Sequence, residues 1–265
     1  MLKRAGGGPA FLWLVTLVSA VGYAPIALSV YLVQKPQIGW IGVAFIAGTS
    51  VLHVIYFLLL AKGYRHGDLS LVYPLARGTG PLITIVVAIL LLHEQLSAVG
   101  LVGALMVALG VFLLTGDPRQ LRQCGSGGAV LFALLTGVCI AAYTVWDKYA
   151  VATLLIPPLI FDWSANACRA VLLTPLGLRD SVSVNTIWRE HRREVIGVAV
   201  LSPLSYILVL TAMVFTPVSY VAPAREISIL FAALIGTHFL AEGNSARRIL
   251  AASVMVLGVT ALALG

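Results

Sequence analysis

The sequence is poor in charge and in cysteine, and both shortages narrow the class of protein it encodes. Asp, Glu, Lys and Arg make up only 10% of the 265 residues, whereas 60% are hydrophobic. No stretch is polar enough to cover a sizeable soluble domain. The three cysteines, Cys124, Cys139 and Cys168, are odd in number, and two lie inside apolar runs. This argues against a disulfide framework and favours packing roles for the thiols.

Catalytic and ligand-binding motifs are also missing. The chain has no HExxH, GxSxG, GxxxxGK[ST] or CxxC motif, and the Gly6–Gly8 run precedes an apolar stretch instead of following a strand. The basic residues, which give a net charge of +7, do not cluster on a soluble face. We therefore predict a protein that is not an enzyme, holds no metal or cofactor and binds no nucleic acid.

What fills the chain instead is a series of nine apolar runs. A helix of about 20 apolar residues crosses a hydrocarbon core roughly 30 Å thick. The runs are continuous rather than alternating, which favours helices over a β-barrel. We predict an all-α integral membrane protein, and an uncleaved first run although Lys3 and Arg4 resemble the start of a signal peptide. The predicted spans are 11–33, 39–61, 70–92, 97–115, 128–151, 154–177, 195–216, 219–241 and 247–264.

The basic residues are divided unequally between alternate loops, which predicts an orientation. Lys35 and Lys148 are the two that lie in one set of loops. Cytoplasmic loops collect Lys and Arg, so we predict residue 1 inside and residue 265 outside. The loop 178–194 would then be a solvated cytoplasmic loop, or within it an interfacial helix anchored by Trp188, with a regulatory or partner-binding segment as the alternative. The N-terminus and the other loops carry Lys3, Arg4, Lys62, Arg65, Arg119, Arg122, Arg179, Arg189, Arg192, Arg193, Arg247 and Arg248.

Two stretches of the chain are copies of one another. Residues 71–111 and 220–259 align at an offset of 148 from Arg77 onward, so that Arg77 pairs with Arg225 and Glu94 with Glu242. Ser97, Gly110 and Val111 likewise match Ser245, Gly258 and Val259. A duplicated membrane segment with a cation at matched positions is typical of a transporter built from two related halves.

These repeated residues carry a family resemblance. Three parts of the sequence together resemble the EamA-type transporters of the drug/metabolite transporter superfamily. They are VYPLAR, Glu94 and GALMVALGV in one copy; YVAPAREIS, Glu242 and VMVLGV in the other; and ALLTGVCIAAYTVWDKYAV at 133–151. The resemblance implies two inverted repeats of five helices each. Here it yields four spans in residues 1–116, a connecting loop at 117–127 and five spans in 128–265. The first helix of the first repeat is expected to be missing. Members of this family usually have both termini in the cytoplasm, which conflicts with the orientation predicted from the basic residues of the loops. We prefer the orientation predicted from the loops.

The strongest site candidates lie in the duplicated segments. A buried charge is expensive in a membrane, so Arg77 either faces a cavity or anchors the helix at the interface. Arg225 and Glu226 point about 100° apart on a helix, so we expect that they cannot neutralise each other and that one faces another span. Pro74 and Pro223 either kink or start their helices. Gly78, Gly80 and Pro81 favour local unwinding of the first copy.

A second group of candidates lies outside the duplicated segments. Asp162 and Arg169 lie about two turns apart on one face of a helix. We expect them to form a structural ion pair or to face a cavity. Trp163 lines the cavity or marks the interface. His53 is a proton relay or a hydrogen-bonded core residue, and Tyr56 and Tyr206 are further polar groups within spans.

Three acidic residues fall near predicted helix ends. We place Asp147 at a helix end at the interface, flanked by the aromatic belt of Trp146 and Tyr149, with proton coupling as the alternative. We place Glu94 and Glu242 at the interface, near the start of the next helix. A small-residue face on 97–115, containing Gly100, Gly103 and Gly110, predicts close packing between the halves or between protomers.

These features together predict a secondary transporter in the cytoplasmic membrane. It would move a small organic metabolite, anionic, amino-acid-like or drug-like, by alternating access, with Glu226 for proton coupling or for binding an amine. Its partners would be that small molecule, the lipid bilayer and a second copy in a homodimer. Two alternatives are a flippase for lipid-linked sugars or a phosphonate-associated membrane component of the same superfamily, and a non-transporting intramembrane enzyme or partner protein.

Overall fold

In the computed structural model, every regular element within the described residues is an α-helix. The description covers residues 8–67, 69–115, 127–229, 231 and 245–265. The all-α fold expected from the continuous apolar runs is confirmed. The helices are α1 (Pro9–Gln34), α2 (Trp40–His66), α3 (Leu69–Leu91), α4 (Ala98–Thr115), α5 (Gly127–Ala152), α6 (Pro158–Arg179), α7 (Ser181–Glu190), α8 (Arg192–Phe215), α9 (Val218–Ala224) and α10 (Ser245–Leu264).

Four of these helices are both long enough and apolar enough to cross a membrane: α1, α2, α5 and α8. Shorter apolar segments lie in α3, α4 and α10. Most helices begin and end within a few residues of the predicted spans. The sixth span is an exception, because it was predicted from 154 and begins at Pro158. Pro157 and Pro158 disfavour helical geometry in the residue before each of them, which delays the helix start.

The segment between the sixth and eighth helices is itself helical. The predicted loop 178–194 therefore contains a helix, α7. The side chain of Asp180 accepts a hydrogen bond from the backbone N–H of Ser183 and so caps its start. Val184 and Ile187 pack against a buried cluster that includes Phe11 and Val195. Trp188 lies on the exposed side, at 39% exposure.

The chain forms two compact units, each built from two separate stretches of the sequence. The first consists of Met1–Val54 and Trp146–Phe215. Polar side chains join its helices, which suits an apolar setting where helices lack a hydrophobic drive to associate. Ser19 Oγ donates to the carbonyl of Ala199 at 2.8 Å, and Trp13 Nε1 donates to Thr174 Oγ1 at 3.2 Å.

The second unit consists of Ile55–Val145 and Thr216–Gly265. At its centre α4 packs against α10, the last helices of the two sequence copies. A Cβ on Gly103 would lie 2.6 Å from the carbonyl oxygen of Gly258 and 2.7 Å from the nitrogen of Leu262. The small residues of 97–115 therefore allow two backbones to touch, and packing between the halves is the alternative that the structure supports.

Candidate functional site

The first copy of the duplicated segment forms one continuous helix. The expectation that Gly78, Gly80 and Pro81 unwind it is wrong, because α3 runs from Leu69 to Leu91 without a break. The glycines instead permit close packing. A Cβ on Gly78 would lie 2.8 Å from the ring of Phe112, and one on Gly80 would lie 2.8 Å from Ile140.

The interruption occurs in the second copy. Helix α9 ends at Ala224, and Arg225 and Glu226 form a turn before the helical residues 227–229. The backbone N–H of Glu226 bonds to the carbonyl of Pro223, three residues back, instead of four. The predicted span 219–241 is therefore broken at the two charged residues. Its part from 232 onward lies outside the described residues.

Both prolines lie inside helices rather than at their starts. Pro74 is the sixth residue of α3, and Pro223 is the sixth residue of α9. A proline at this depth removes a backbone donor and leaves the carbonyl four residues earlier without its helical partner. In α9 this weakened turn comes directly before the break at Arg225.

The three charged candidates of the duplicated segments meet in the second unit. Arg77 Nε lies 2.9 Å from Glu226 Oε2, and Arg225 Nε lies 3.6 Å from Glu226 Oε1. The side chain of Glu226 is only 1% exposed, and those of Arg77 and Arg225 are 17% and 12% exposed. Two guanidinium groups therefore share one carboxylate.

The contact between the neighbours Arg225 and Glu226 corrects one expectation. We expected that adjacent residues on a helix could not neutralise each other, and the 3.6 Å separation shows that they do approach. The reason is the break in the helix, because a turn does not hold neighbouring side chains about 100° apart. The expectation that one of the two faces another helix holds, since Glu226 reaches Arg77 on α3.

Aromatic side chains line the Arg77 end of this group. The guanidinium of Arg77 lies 5.9 Å from the centre of the Tyr73 ring, at cation–π distance. Tyr56 packs edge to face against Phe57 at 5.0 Å and against Tyr143 at 5.9 Å. Tyr56 thus belongs to the same unit as the arginine pair.

Glu94 has a role that the sequence did not reveal. Its carboxylate accepts hydrogen bonds from the backbone N–H groups of Val218 at 2.8 Å and Ser219 at 2.9 Å. These are the first two residues of α9, whose own cap residue, Pro217, offers no side-chain acceptor. Glu94 lies between the end of α3 at Leu91 and the start of α4 at Ala98, but the helix whose start it caps is α9, 124 residues further on. Its counterpart Glu242 lies outside the described residues.

The first unit brings together the other acidic and basic candidates on α6. Arg169 Nη2 lies 3.7 Å from Asp162 Oδ1, and Asn166 Nδ2 donates to Asp162 Oδ2 at 2.9 Å. All three side chains are buried. Trp163 Nε1 donates to the carbonyl of Ala20 at 2.8 Å. The geometry matches the paired arrangement predicted from the seven-residue spacing.

Asp147 differs from its predicted position. It is fully buried, five residues before the end of α5, so its assignment to a helix end at the interface is wrong. Tyr206 donates its hydroxyl proton to Asp147 Oδ2 at 2.5 Å. The ring of Tyr206 meets the ring of His53 edge to face at 5.6 Å. Trp146 stacks on Phe45 and donates to its carbonyl at 2.9 Å, so it packs inside the unit.

The described residues contain no group of three or more His, Cys, Asp or Glu side chains placed to hold a metal ion. Within the described part of the chain, Cys139 is buried, Cys168 is partly buried, and neither belongs to a disulfide. Cys124 lies outside the described residues.

Comparison with known proteins agrees with this architecture. The model of the EamA-like transporter family matches residues 3–116 and again 127–264. A solved structure described only as "Crystal structure of protein" superposes with a TM-score of 0.69 over 99% of this chain and 90% of its own, at 18% identity. At that identity the likeness shows a shared fold. No curated protein matches the sequence.

Proposed function

Because the chain belongs to the EamA-like transporter family, we propose that this membrane protein moves a small organic solute across the cytoplasmic membrane by alternating access. The expected family resemblance is confirmed. Matched helices with a break in only one copy support this mechanism, since interrupted helices in repeated segments mark binding sites in transporters.

One observation favours a solute that carries a carboxylate: Arg77 and Arg225 share the single carboxylate of Glu226. Two guanidinium groups that lie this close together and are largely shielded from solvent attract an anionic group. An anionic or zwitterionic solute would supply such a group. Arginine also binds carboxylates through two parallel hydrogen bonds, which gives both affinity and orientation.

Glu226 supplies the other half of the recognition. In an amino-acid-like solute the carboxylate would approach the guanidinium groups, and the ammonium would approach Glu226. A zwitterion therefore fits the group better than a simple cation, which two arginines repel. The break after Ala224 lets Arg225 and Glu226 change their mutual arrangement without unwinding a regular helix.

A two-step experiment tests this proposal. The first step measures the thermal stability of purified protein with neutral, acidic and basic amino acids, and we expect the first two classes to stabilise it. The second step measures exchange of a stabilising amino acid in proteoliposomes. We expect Arg225→Ala and Glu226→Gln to abolish exchange while the protein remains folded by size-exclusion chromatography.

A matched control is available in Arg65→Ala, which removes an exposed arginine from the last turn of α2. This variant should exchange like the wild type. Full exchange by both Arg225→Ala and Glu226→Gln would exclude the arginine pair as the solute site. Stabilisation by basic amino acids alone would exclude the proposed solute class.

A further inference from the structure

A second buried group, in the first unit, is not used by the proposed solute site. Asp147 lies on α5 and is 0% exposed. Its Oδ2 accepts the hydroxyl proton of Tyr206, from α8, at 2.5 Å. Its other oxygen, Oδ1, is also buried and has no partner at ordinary hydrogen-bond geometry, although the Thr49 side chain is close enough to interact with the carboxyl group. The carboxyl group is thus held firmly by Tyr206 at Oδ2 and more weakly on its other side.

The groups around Asp147 do not include a cation that pairs with it. Among the described residues, no basic side chain forms a salt bridge with its carboxylate. Arg169 and Asp162 on α6 both act on it electrostatically, but they pair with each other and contribute opposite charges. The neighbouring Lys148 donates from Nζ to the carbonyl of Met213 at 2.6 Å.

On α2, Thr49 and His53 complete the surroundings. His53 Nδ1 lies 2.9 Å from the carbonyl oxygen of Thr49. A carbonyl oxygen only accepts, so Nδ1 carries a hydrogen in this arrangement. The Thr49 hydroxyl lies 3.2 Å from the same nitrogen. The ring of Tyr206 packs edge to face against the ring of His53, so that Thr49 and His53 lie beside the pair formed by Asp147 and Tyr206.

We propose that Asp147 is a proton-binding site, which takes up and releases one proton at Oδ1 during the transport cycle. An ionised carboxylate buried without a cation is strongly disfavoured, and a proton removes the charge without requiring a new side chain. Tyr206 is the positioning residue, because its hydroxyl fixes Oδ2 and leaves Oδ1 to the proton. Coupling of this proton to solute movement rests on the proposed function, whereas proton binding itself does not.

Infrared difference spectroscopy between low and high pH tests proton binding on the full-length protein in lipid nanodiscs. Wild-type protein should show the carbonyl band of a protonated carboxylic acid that disappears as pH rises. Asp147→Asn should lack this band, and Tyr206→Phe should shift it because the hydrogen bond to Oδ2 is lost. Asp162→Asn, which removes another buried carboxylate of the same unit, should retain it.

A titrating band that is unchanged in both Asp147→Asn and Tyr206→Phe would overturn the proposal. If Asp147→Asn fails to fold, the band shift expected for Tyr206→Phe still tests the proposal. Coupling is tested by uptake of the stabilising amino acid into proteoliposomes with and without a pH gradient. Uptake accelerated by the gradient in the wild type and not in Asp147→Asn supports coupling. An uptake rate that is the same with and without the gradient overturns coupling. No uptake at all contradicts the proposed function instead.

Discussion

At the scale of single residues, the role of a charged side chain depends more on the side chains it contacts than on its position in the repeat. Arg77 and Arg225 occupy matched positions in the two copies, and both form ion pairs with Glu226. The residue that matches Glu226 in the first copy is Gly78. The sequence indicated Glu226 as the distinctive residue because it is an acid with no acidic counterpart in the other copy. It could not indicate which arginine Glu226 meets, since that depends on how α3 and α9 pack.

The cap formed by Glu94 leads to a stability prediction. Glu94→Gln keeps the size of the side chain but removes the charge that faces the start of α9. We expect this substitution to destabilise the protein by about 1 kcal/mol, since caps and charges at helix starts contribute amounts of this order. The measurement is the midpoint of thermal unfolding in detergent.

Glu190→Gln is a suitable control for that measurement, because Glu190 is exposed in the last turn of α7 and caps nothing. Its midpoint should equal that of the wild type. Equal midpoints for the Glu94 and Glu190 variants would contradict a capping role for Glu94.

At the scale of helices, the contact between α4 and α10 depends on the absence of side chains. Gly103→Ala would place a Cβ 2.6 Å from a backbone oxygen and 2.7 Å from a backbone nitrogen. A backbone cannot rotate away as a side chain can, so we expect a loss of stability of about 1–3 kcal/mol. Unfolding by heat or denaturant in detergent measures the effect.

Gly197→Ala on α8 provides the comparison. Apart from its own turn of helix, a Cβ at Gly197 would have no atom of the described residues within 4 Å. Alanine also favours helix more than glycine by up to about 1 kcal/mol. This variant should therefore be as stable as the wild type or more so. A Gly103→Ala protein as stable as Gly197→Ala would show that the two helices separate easily.

Helix existence was predictable from the sequence, and helix continuity was not. Long apolar runs predict α1, α2, α5 and α8 well, because the hydrocarbon thickness sets their length. The helix break was predicted in the first copy, because Gly78, Gly80 and Pro81 look like helix breakers, but it occurs at Arg225 in the second copy. Their packing partners Phe112 and Ile140 come from other helices, and no local pattern shows them. Asp147 was misplaced for the same reason, because its partner Tyr206 is 59 residues away.

At the scale of the whole molecule, the uneven loops predict a definite orientation. In a variant without native cysteines, Gln37→Cys between α1 and α2 should react with a membrane-impermeant maleimide in intact cells. Asn185→Cys on α7 should react only after the cells are permeabilised, because its loop carries many of the basic residues. Both sites are exposed. Labelling of Asn185→Cys alone in intact cells would reverse the orientation.

The bond between Glu94 and the start of α9 also bears on how the two repeats depend on each other. A polypeptide carrying only residues 128–265 would begin α9 with two backbone donors that have lost their acceptor, next to a proline that offers none. The same polypeptide would lack the helix that meets Gly258 backbone to backbone. The second repeat is therefore not a self-sufficient module. If the chain were split at the connecting loop, the two pieces would need to be made in the same membrane and to assemble there. A gene fusion that exchanged one repeat for that of a relative would have to supply the matching acid and the matching glycine together.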